Sequence, residues 1–337
     1  MKFKVGLVGL GTVSSTHIRA LQRLDNVEIV ACSDIDSSKR PIEGARWYTS
    51  YQEMASAEKL DAVHICLPHY LHLDAVKAFA ARGINILCEK PIAMTVSEIE
   101  QMKAIEKESK WIVGVCLQNR WNASFIELKK QLAAGDNRKV IGIKAIATWD
   151  RPAAYYEKAP WRGQMSKAGG GCMINQAIHT LDLMLQIGGR VQKINGSISK
   201  FSDIDMDVED TASAKIDFSN GIRGLFFGSV CNAQNSSIEL QVYCEKGTFT
   251  IKDYSLWYNP IEDETEKILL VRDEILPGEK VYYGASHVFL IHDFYEVLAG
   301  KSENYVSISD AGQVIQLIQG IRKSSTENKS VKWEEIL

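Results

Sequence analysis

Lys4-Val5-Gly6-Leu7-Val8-Gly9-Leu10-Gly11-Thr12-Val13-Ser14 is the stretch that decides the fold. Its first half, Lys4 to Leu10, is a short apolar run ending in glycines, the pattern of a buried parallel strand. Its second half reads G-x-G-x-x-S and opens onto a helical stretch with Ile18, Leu21 and Leu24 on one face. A glycine-rich turn between a strand and a helix is built to hold a dinucleotide pyrophosphate. Gly9 allows the tight turn, and Gly11 lets the phosphates approach the backbone. The first helical residues, Thr12 and Val13 among them, offer N–H groups and the positive end of the helix dipole. Ser14 stands where a third glycine is usual, and a small serine is tolerated with slightly wider packing. The reading is a Rossmann-type, doubly wound parallel sheet.

The surrounding pattern agrees. Strand patterns at Val27–Ser33, Ala62–Leu67, Ile84–Cys88 and Trp111–Leu117 alternate with helical patterns at Thr49–Ala55, Leu71–Arg82 and Val96–Lys107. Asp34 ends the second strand, roughly 20 residues past the glycine loop. A carboxylate there accepts hydrogen bonds from ribose hydroxyls and repels a 2′-phosphate, which favours NAD over NADP.

After about Asn122 the pattern changes. Longer strand runs, from Val140–Trp149 to Thr248–Lys252, are separated by turn pairs such as Asn220-Gly221 and Lys246-Gly247. A helix containing Asn175–Leu185 interrupts them, and helices near His287–Leu298 and Ser309–Ser324 close the chain. The expectation is an α/β protein of two domains. Residues 1–122 form the dinucleotide-binding domain. Residues 123–337 form an α+β substrate and oligomerisation domain with a large open, mostly antiparallel sheet.

The chain has 337 residues, 45% hydrophobic and 24% charged, with a net charge of −3. That balance gives no reason to expect nucleic acid or an anionic membrane as partner. No apolar run approaches the roughly 18–20 residues of a membrane span, and the start lacks the marks of a signal peptide. The seven cysteines are scattered without a C-x-x-C, as expected of a cytoplasmic protein without disulfides or structural zinc. His69-x-x-His72 has the spacing of a metal pair but no third ligand beside it, so no metal is expected.

Four further stretches lie in a telling order: Leu67-Pro68-His69-Tyr70-Leu71-His72, Cys88-Glu89-Lys90-Pro91, Gln118-Asn119-Arg120-Trp121-Asn122, and Gly169-Gly170-Gly171 running through Asn175, His179 and Asp182. Over nearly its whole length the chain resembles the glucose–fructose oxidoreductase, inositol dehydrogenase and rhizopine-catabolism family, Gfo/Idh/MocA. The resemblance implies NAD(P)-dependent oxidation or reduction at a hydroxyl of a sugar, cyclitol or sugar derivative, by a homodimer or homotetramer built through the open sheet. It implies that Leu67, Pro68, His72, Glu89, Lys90 and Gln118 lie at the cofactor, with Glu89 bonding either the cofactor or neighbouring backbone. It also implies that Asn119, Arg120, Trp161, Arg162, Asn175 and Asp182 line the substrate, with an interdomain salt bridge as the equal alternative for Arg120.

Oxidising a carbinol needs a base near the hydroxyl with a pKa not far from the working pH. Two residues compete. Lys90 follows a parallel strand, at the sheet edge where open α/β sheets place ligands. It starts near pKa 10.4, and both burial and a positive nicotinamide lower it. His179 titrates near 6.5 unperturbed, and its spacing puts it on one helix face with Asn175 and Asp182. Many members of the family have aspartate at the position of Asn175. An amide cannot take a proton, so Asn175 is read as a hydrogen-bonding group, and the choice between Lys90 and His179 stays open. A dinucleotide-binding sensor and an NAD-using glycosidase are the alternatives to a dehydrogenase.

Overall fold

The computed structural model describes residues 2–39, 42–107, 110–135, 139–232, 234–263, 265–276 and 285–336. The chain divides into two compact units. The first comprises residues 1–118 and 286–312, the second residues 119–285 and 313–337.

The first unit begins with β1 (Phe3–Val8), α1 (Ser14–Leu21), β2 (Val27–Ser33), β3 (Arg46–Tyr48) and α2 (Tyr51–Ala57). It continues through β4 (Ala62–Ile65), α3 (His72–Ala80), β5 (Asn85–Cys88), α4 (Val96–Lys107) and β6 (Val113–Val115). The six strands are parallel in the order β3-β2-β1-β4-β5-β6. Two mononucleotide-binding halves therefore diverge from β1 and β4, the doubly wound arrangement the sequence predicts. Val5, Leu7, Val63, Ile65, Ile86 and Leu87 are buried, as strands covered on both faces require. The three-residue β3 has no apolar run and is absent from the sequence reading.

The second unit contains α5 (Ala123–Ala133), β7 (Val140–Thr148), α6 (Ala153–Glu157), α7 (Met165–Ala168), α8 (Cys172–Asn175) and α9 (Ile178–Gly188). The strands β8 (Val191–Ser199), β9 (Thr211–Phe218), β10 (Arg223–Ser229), β11 (Glu239–Cys244), β12 (Gly247–Lys252), β13 (Ser255–Pro260) and β14 (Ile268–Arg272) follow. They join β15 (Val331–Lys332) in a nine-stranded sheet of order β14-β13-β12-β11-β7-β10-β9-β8-β15, in which only β7 and β10 run parallel. Alternation sets its two faces. On β9, Ala212, Ala214, Ile216 and Phe218 are buried while Ser213 and Lys215 are exposed. Helices α8 and α9 pack on β10. On the other face Leu225 and Phe227 of β10 and Tyr243 of β11 are 60%, 41% and 41% exposed.

Two helices close the chain, α10 (Ser286–Leu298) and α11 (Ile308–Glu327). The sequence reading places everything after residue 122 in the second domain. Instead, α10 returns to the first unit and packs against α1. Its Phe294 abuts Gly114 on β6, and Tyr295 is buried against His64 and Phe3. An apolar helix carries no local mark of which sheet it will cover.

Candidate active site

One group of the predicted residues lies along the C-terminal edge of the parallel sheet, within the first unit. Gly9 takes φ +84, and a Cβ there would sit 2.6 Å from the Cys66 carbonyl oxygen, so only glycine fits. A Cβ on Gly11 would meet nothing within 4 Å. That open cradle faces a helix start with no side-chain cap. Uncapped N–H groups beside empty space are what a pyrophosphate needs, so these residues fit a dinucleotide. Ser14 is buried and its hydroxyl donates to the Gly11 carbonyl at 2.7 Å, which holds the turn. The Leu10 N–H donates to Asp34 Oδ2 at 2.7 Å, and the Asp36 N–H to Asp34 Oδ1 at 2.9 Å. Asp34 thus fixes the glycine loop while remaining half-exposed, with lone pairs left for ribose hydroxyls.

Lys90 is half-buried immediately after β5, and its peptide bond to Pro91 is cis. Leu67 and Pro68 are half-buried after β4, while Gln118 is buried past β6. His72 is wholly buried, with Nδ1 2.7 Å from the Pro91 carbonyl and Nε2 2.8 Å from that of Leu67. It clamps the loops after β4 and β5 together.

Glu89 bonds to neighbouring backbone, one of the two roles the sequence allows it, and it is also the centre of a buried polar cluster. Its Oε1 lies 2.9 Å from His17 Nε2 and 3.5 Å from His287 Nε2, and its Oε2 accepts from the Lys90 N–H at 3.2 Å. His17 Nδ1 is 2.8 Å from His64 Nδ1, and His64 Nε2 is 2.9 Å from the Tyr295 hydroxyl. Burial would raise the Glu89 pKa, but hydrogen bonds from His17 and His287 outweigh it and hold the carboxyl well below its usual range. Burial likewise works against charge on His17, yet Cys66, Cys116 and Glu89 prevail and raise its pKa well above the ordinary value. Burial and the His17 charge push His64 down. Of the tautomers these contacts allow, the raised His17 pKa and the lowered His64 pKa favour a His17 imidazolium that donates to carboxylate Glu89 and to neutral His64, which donates to Tyr295. The ligand atoms of His17, Glu89 and His287 lie within 4.8 Å of one another. The 2.9 Å spacing between His17 and Glu89 is that of a charge-assisted hydrogen bond.

In the second unit the sequence predicts one helix through Asn175 and His179. The structure has two, α8 and α9, broken at Gln176–Ala177, so Asn175 does not share a helix with His179 and Asp182. The start of α8 is held from outside. The Cys172 N–H donates to the Glu209 carbonyl at 2.9 Å, and a Cβ on Gly171 would lie 1.8 Å from that oxygen. Arg322 donates to the Gly169 carbonyl at 2.5 Å and contacts the buried Glu209 carboxylate at 3.2 Å. The glycine run is therefore a latch that seats α8. From Ala168 to Leu185 only Asn175, Gln176 and His179 are not buried. Gln176, absent from the sequence reading, donates to the Tyr155 hydroxyl at 3.1 Å.

Asp182, read as a substrate contact, and Arg120, read as a substrate contact or a salt-bridge partner, are taken up with each other. Arg120 Nε and Nη2 donate to the two carboxylate oxygens at 2.9 and 2.6 Å, and the Asp182 side chain is only 2% exposed. Removing one partner of such a buried pair costs about 3–5 kcal/mol. The pair fixes the turn carrying half-buried Asn119 onto α9, within the second unit. Trp161 and Arg162 are half-buried, and the Arg162 guanidinium stacks on Tyr155, 4.3 Å from the ring centre.

A family model described as an oxidoreductase family with an NAD-binding Rossmann fold matches residues 3–117, and the GFO/IDH/MocA C-terminal domain matches residues 125–250. The chain belongs to the GFO/IDH/MocA oxidoreductases. It is 29% identical over 230 residues to the rhizopine catabolism protein MocA of Rhizobium meliloti, covering 66% of this chain and 70% of that protein. It is 22% identical over 350 residues to myo-inositol 2-dehydrogenase of Thermotoga maritima, covering 99% of each. Two solved structures share the fold. The WlbA dehydrogenase of Bordetella pertussis, in complex with NADH and UDP-GlcNAcA, has TM-score 0.84 and 23% identity over 98% of this chain and 99% of its own. A levoglucosan dehydrogenase, in complex with NADH and levoglucosan, has TM-score 0.86 and 20% identity over 98% and 99%. The six-stranded parallel sheet falls within the NAD-binding Rossmann match, and much of the nine-stranded sheet within the C-terminal-domain match. No helix among its described residues is long and apolar enough to cross a membrane.

Proposed function

We propose that this protein interconverts a hydroxyl and a carbonyl on a sugar, cyclitol or sugar derivative, using NAD. The observation that carries this reading is the position of Lys90. It follows β5 directly, at the same sheet edge as the open Gly11 cradle and Asp34. Bound NAD would supply the hydride acceptor. The chain supplies the proton handling, by Lys90 or His179, and hydrogen bonds from Asn175 and Gln176 that orient a polyol. Relatives named for inositol, apiose and levoglucosan dehydrogenation support the substrate class. The test is absorbance at 340 nm with NAD and a panel of inositols, aldoses, anhydrosugars and sugar nucleotides. NADH formation with none of them would overturn the reading.

Asp34 favours NAD over NADP. A carboxylate held by the Leu10 and Asp36 N–H groups cannot swing away from a 2′-phosphate, and like charges brought together cost several kcal/mol. Calorimetry is expected to give NAD at least about tenfold tighter binding than NADP, with Asp34→Asn narrowing the gap. Equal affinities for the unmodified protein would refute the assignment.

We further infer a homodimer or homotetramer formed through the exposed face of the nine-stranded sheet. Leu225, Phe227 and Tyr243 lie outward there on β10 and β11, the two neighbours of β7. Sedimentation should show an oligomer that Leu225→Glu together with Phe227→Glu converts to monomer.

A further inference from the structure

The second unit holds a pocket of about 400 Å³ whose lining includes Trp149, Arg151, Tyr155, Asn235, Ser237 and Tyr254. Its size falls within the usual range of small-molecule sites. Its chemistry is unusual for a surface hollow. The Arg151 guanidinium lies over two aromatic rings, 4.7 Å from the centre of Trp149 and 5.0 Å from that of Tyr155. Its Nη1 donates to the Asp150 carbonyl at 2.6 Å and to Asn235 Oδ1 at 2.8 Å, which fixes the plane. Its Nε is buried and has no hydrogen-bond acceptor among the described residues. Arg162 stacks on the same Tyr155 ring and donates to the Tyr155 carbonyl at 3.3 Å. Among the described residues no carboxylate is paired with either guanidinium.

The far wall is built at a conformational cost. β12 and β13 are joined by the two-residue turn Asp253-Tyr254, with φ +49 and +57. Both positions of such a turn favour glycine or asparagine, and a tyrosine there is strained. Asp253 is tied to the pocket loop: the Ser237 hydroxyl donates to its Oδ1 at 2.7 Å, and its N–H donates back to Ser237 at 3.0 Å. The Asp273 N–H secures the Tyr254 carbonyl at 2.7 Å. The strained turn delivers the Tyr254 side chain to the pocket.

An unneutralised guanidinium, with a second stacked on the Tyr155 ring of the wall, together with aromatic faces, an amide and a hydroxyl, is a recognition set for a polyhydroxylated ring bearing an anion. The pocket also adjoins the substrate segment, because the Tyr155 hydroxyl that accepts from Gln176 belongs to its wall. We propose that this pocket is an anion subsite, and that the substrate is a sugar or cyclitol carrying a carboxylate or phosphate. Arg151 is the principal anion contact. The proposal rests on the oxidoreductase reading above and narrows its substrate class.

The test is calorimetry on the protein saturated with NAD, so that the pyrophosphate loop is filled. The probes are inorganic phosphate, D-glucuronate, D-glucose 6-phosphate and D-glucose. Inorganic phosphate and at least one charged sugar should bind, with D-glucose at least tenfold weaker than that sugar. Glucuronate against glucose 6-phosphate tells carboxylate from phosphate. Arg151→Gln should weaken the charged probes at least tenfold and leave NAD affinity unchanged. Asn235→Ala, which removes the pocket acceptor that fixes the Arg151 guanidinium, serves as a second variant should Arg151→Gln lower the melting temperature. If the unmodified protein binds the charged probes no better than D-glucose, or no better than both variants do, the subsite is refuted. Arginine-dependent anion binding without NADH formation from any polyol would keep the subsite and sink the oxidoreductase reading. NADH formation from neutral polyols, unchanged in both variants, would do the reverse.

Discussion

Lys90→Ala is expected to lower kcat by about 10²–10⁴-fold, the range for loss of a positioned proton-transfer group, with NAD affinity changed by no more than a few-fold. The expectation follows from where the side chain sits. Lys90 is half-buried at the exit of β5, and the backbone beneath it is held by the Glu89 carboxylate and, through Pro91, by His72. A backbone held in this way roots the side chain at the exit of β5. Lys90→Arg separates two roles, because arginine keeps the charge but does not give up a proton near neutral pH. If Lys90 is the base, Lys90→Arg is as inactive as Lys90→Ala; if it supplies only positive charge, much of kcat returns. His179→Asn completes the comparison through the pH profile of kcat. Loss of the limb near neutral pH in that variant would make His179 the base. Steady-state rates of Lys90→Ala within threefold of the unmodified enzyme would remove Lys90 from the mechanism.

Gly171→Ala is expected to be the most damaging single-methyl change in the second unit. The added carbon would lie 1.8 Å from the Glu209 carbonyl oxygen, a backbone atom that cannot rotate aside. That same carbonyl accepts from the Cys172 N–H, so relief of the clash breaks the contact that starts α8. Overpacking of this kind costs about 3 kcal/mol or more. Urea unfolding should show the loss, and kcat should fall with it, because Asn175 ends the helix that is displaced. Gly11→Ala is the matched control. Its methyl meets nothing within 4 Å, so stability should change little while NAD binding weakens. An unchanged urea midpoint in Gly171→Ala would show that the latch does not seat α8.

The contrast between those glycines shows what a sequence can disclose. Gly9, Gly11 and Asp34 form a local signature, since strand, turn and helix follow one another and each limits the next. The parallel sheet was legible for the same reason, through apolar runs alternating with amphipathic helices. The misses have a common cause in partners far along the chain. Asp182 meets an arginine 62 residues away, and Glu89 meets His17 at 72 residues. Neither pairing leaves a mark near the residue itself, so both acids looked available for ligands. The break between α8 and α9 contains neither glycine nor proline, so nothing local in the sequence marks it. The strands β13 and β14 escaped notice because one ends in proline and the other is largely exposed, so neither shows a clean alternation. Gln176 was overlooked because only the three-dimensional packing shows which polar residues of the segment stay accessible.

The return of α10 to the first unit governs the order in which the protein can be made. Residues 1–118 leave the ribosome long before 286–312, which bring the Phe294 ring to Gly114, Tyr295 to His64 and His287 to Glu89. At ordinary elongation speeds the interval is roughly 10–40 s. During it, the nascent sheet lacks one of its covering helices, and the Glu89 carboxylate lacks one of its two histidines. The unit that starts first is therefore finished late, after the whole of the nine-stranded sheet except its last short strand has been synthesised. A stop codon placed after residue 122 would not release a self-sufficient nucleotide-binding module. It would release an unfinished one, with an apolar seam open to the chaperones that attend unfinished chains.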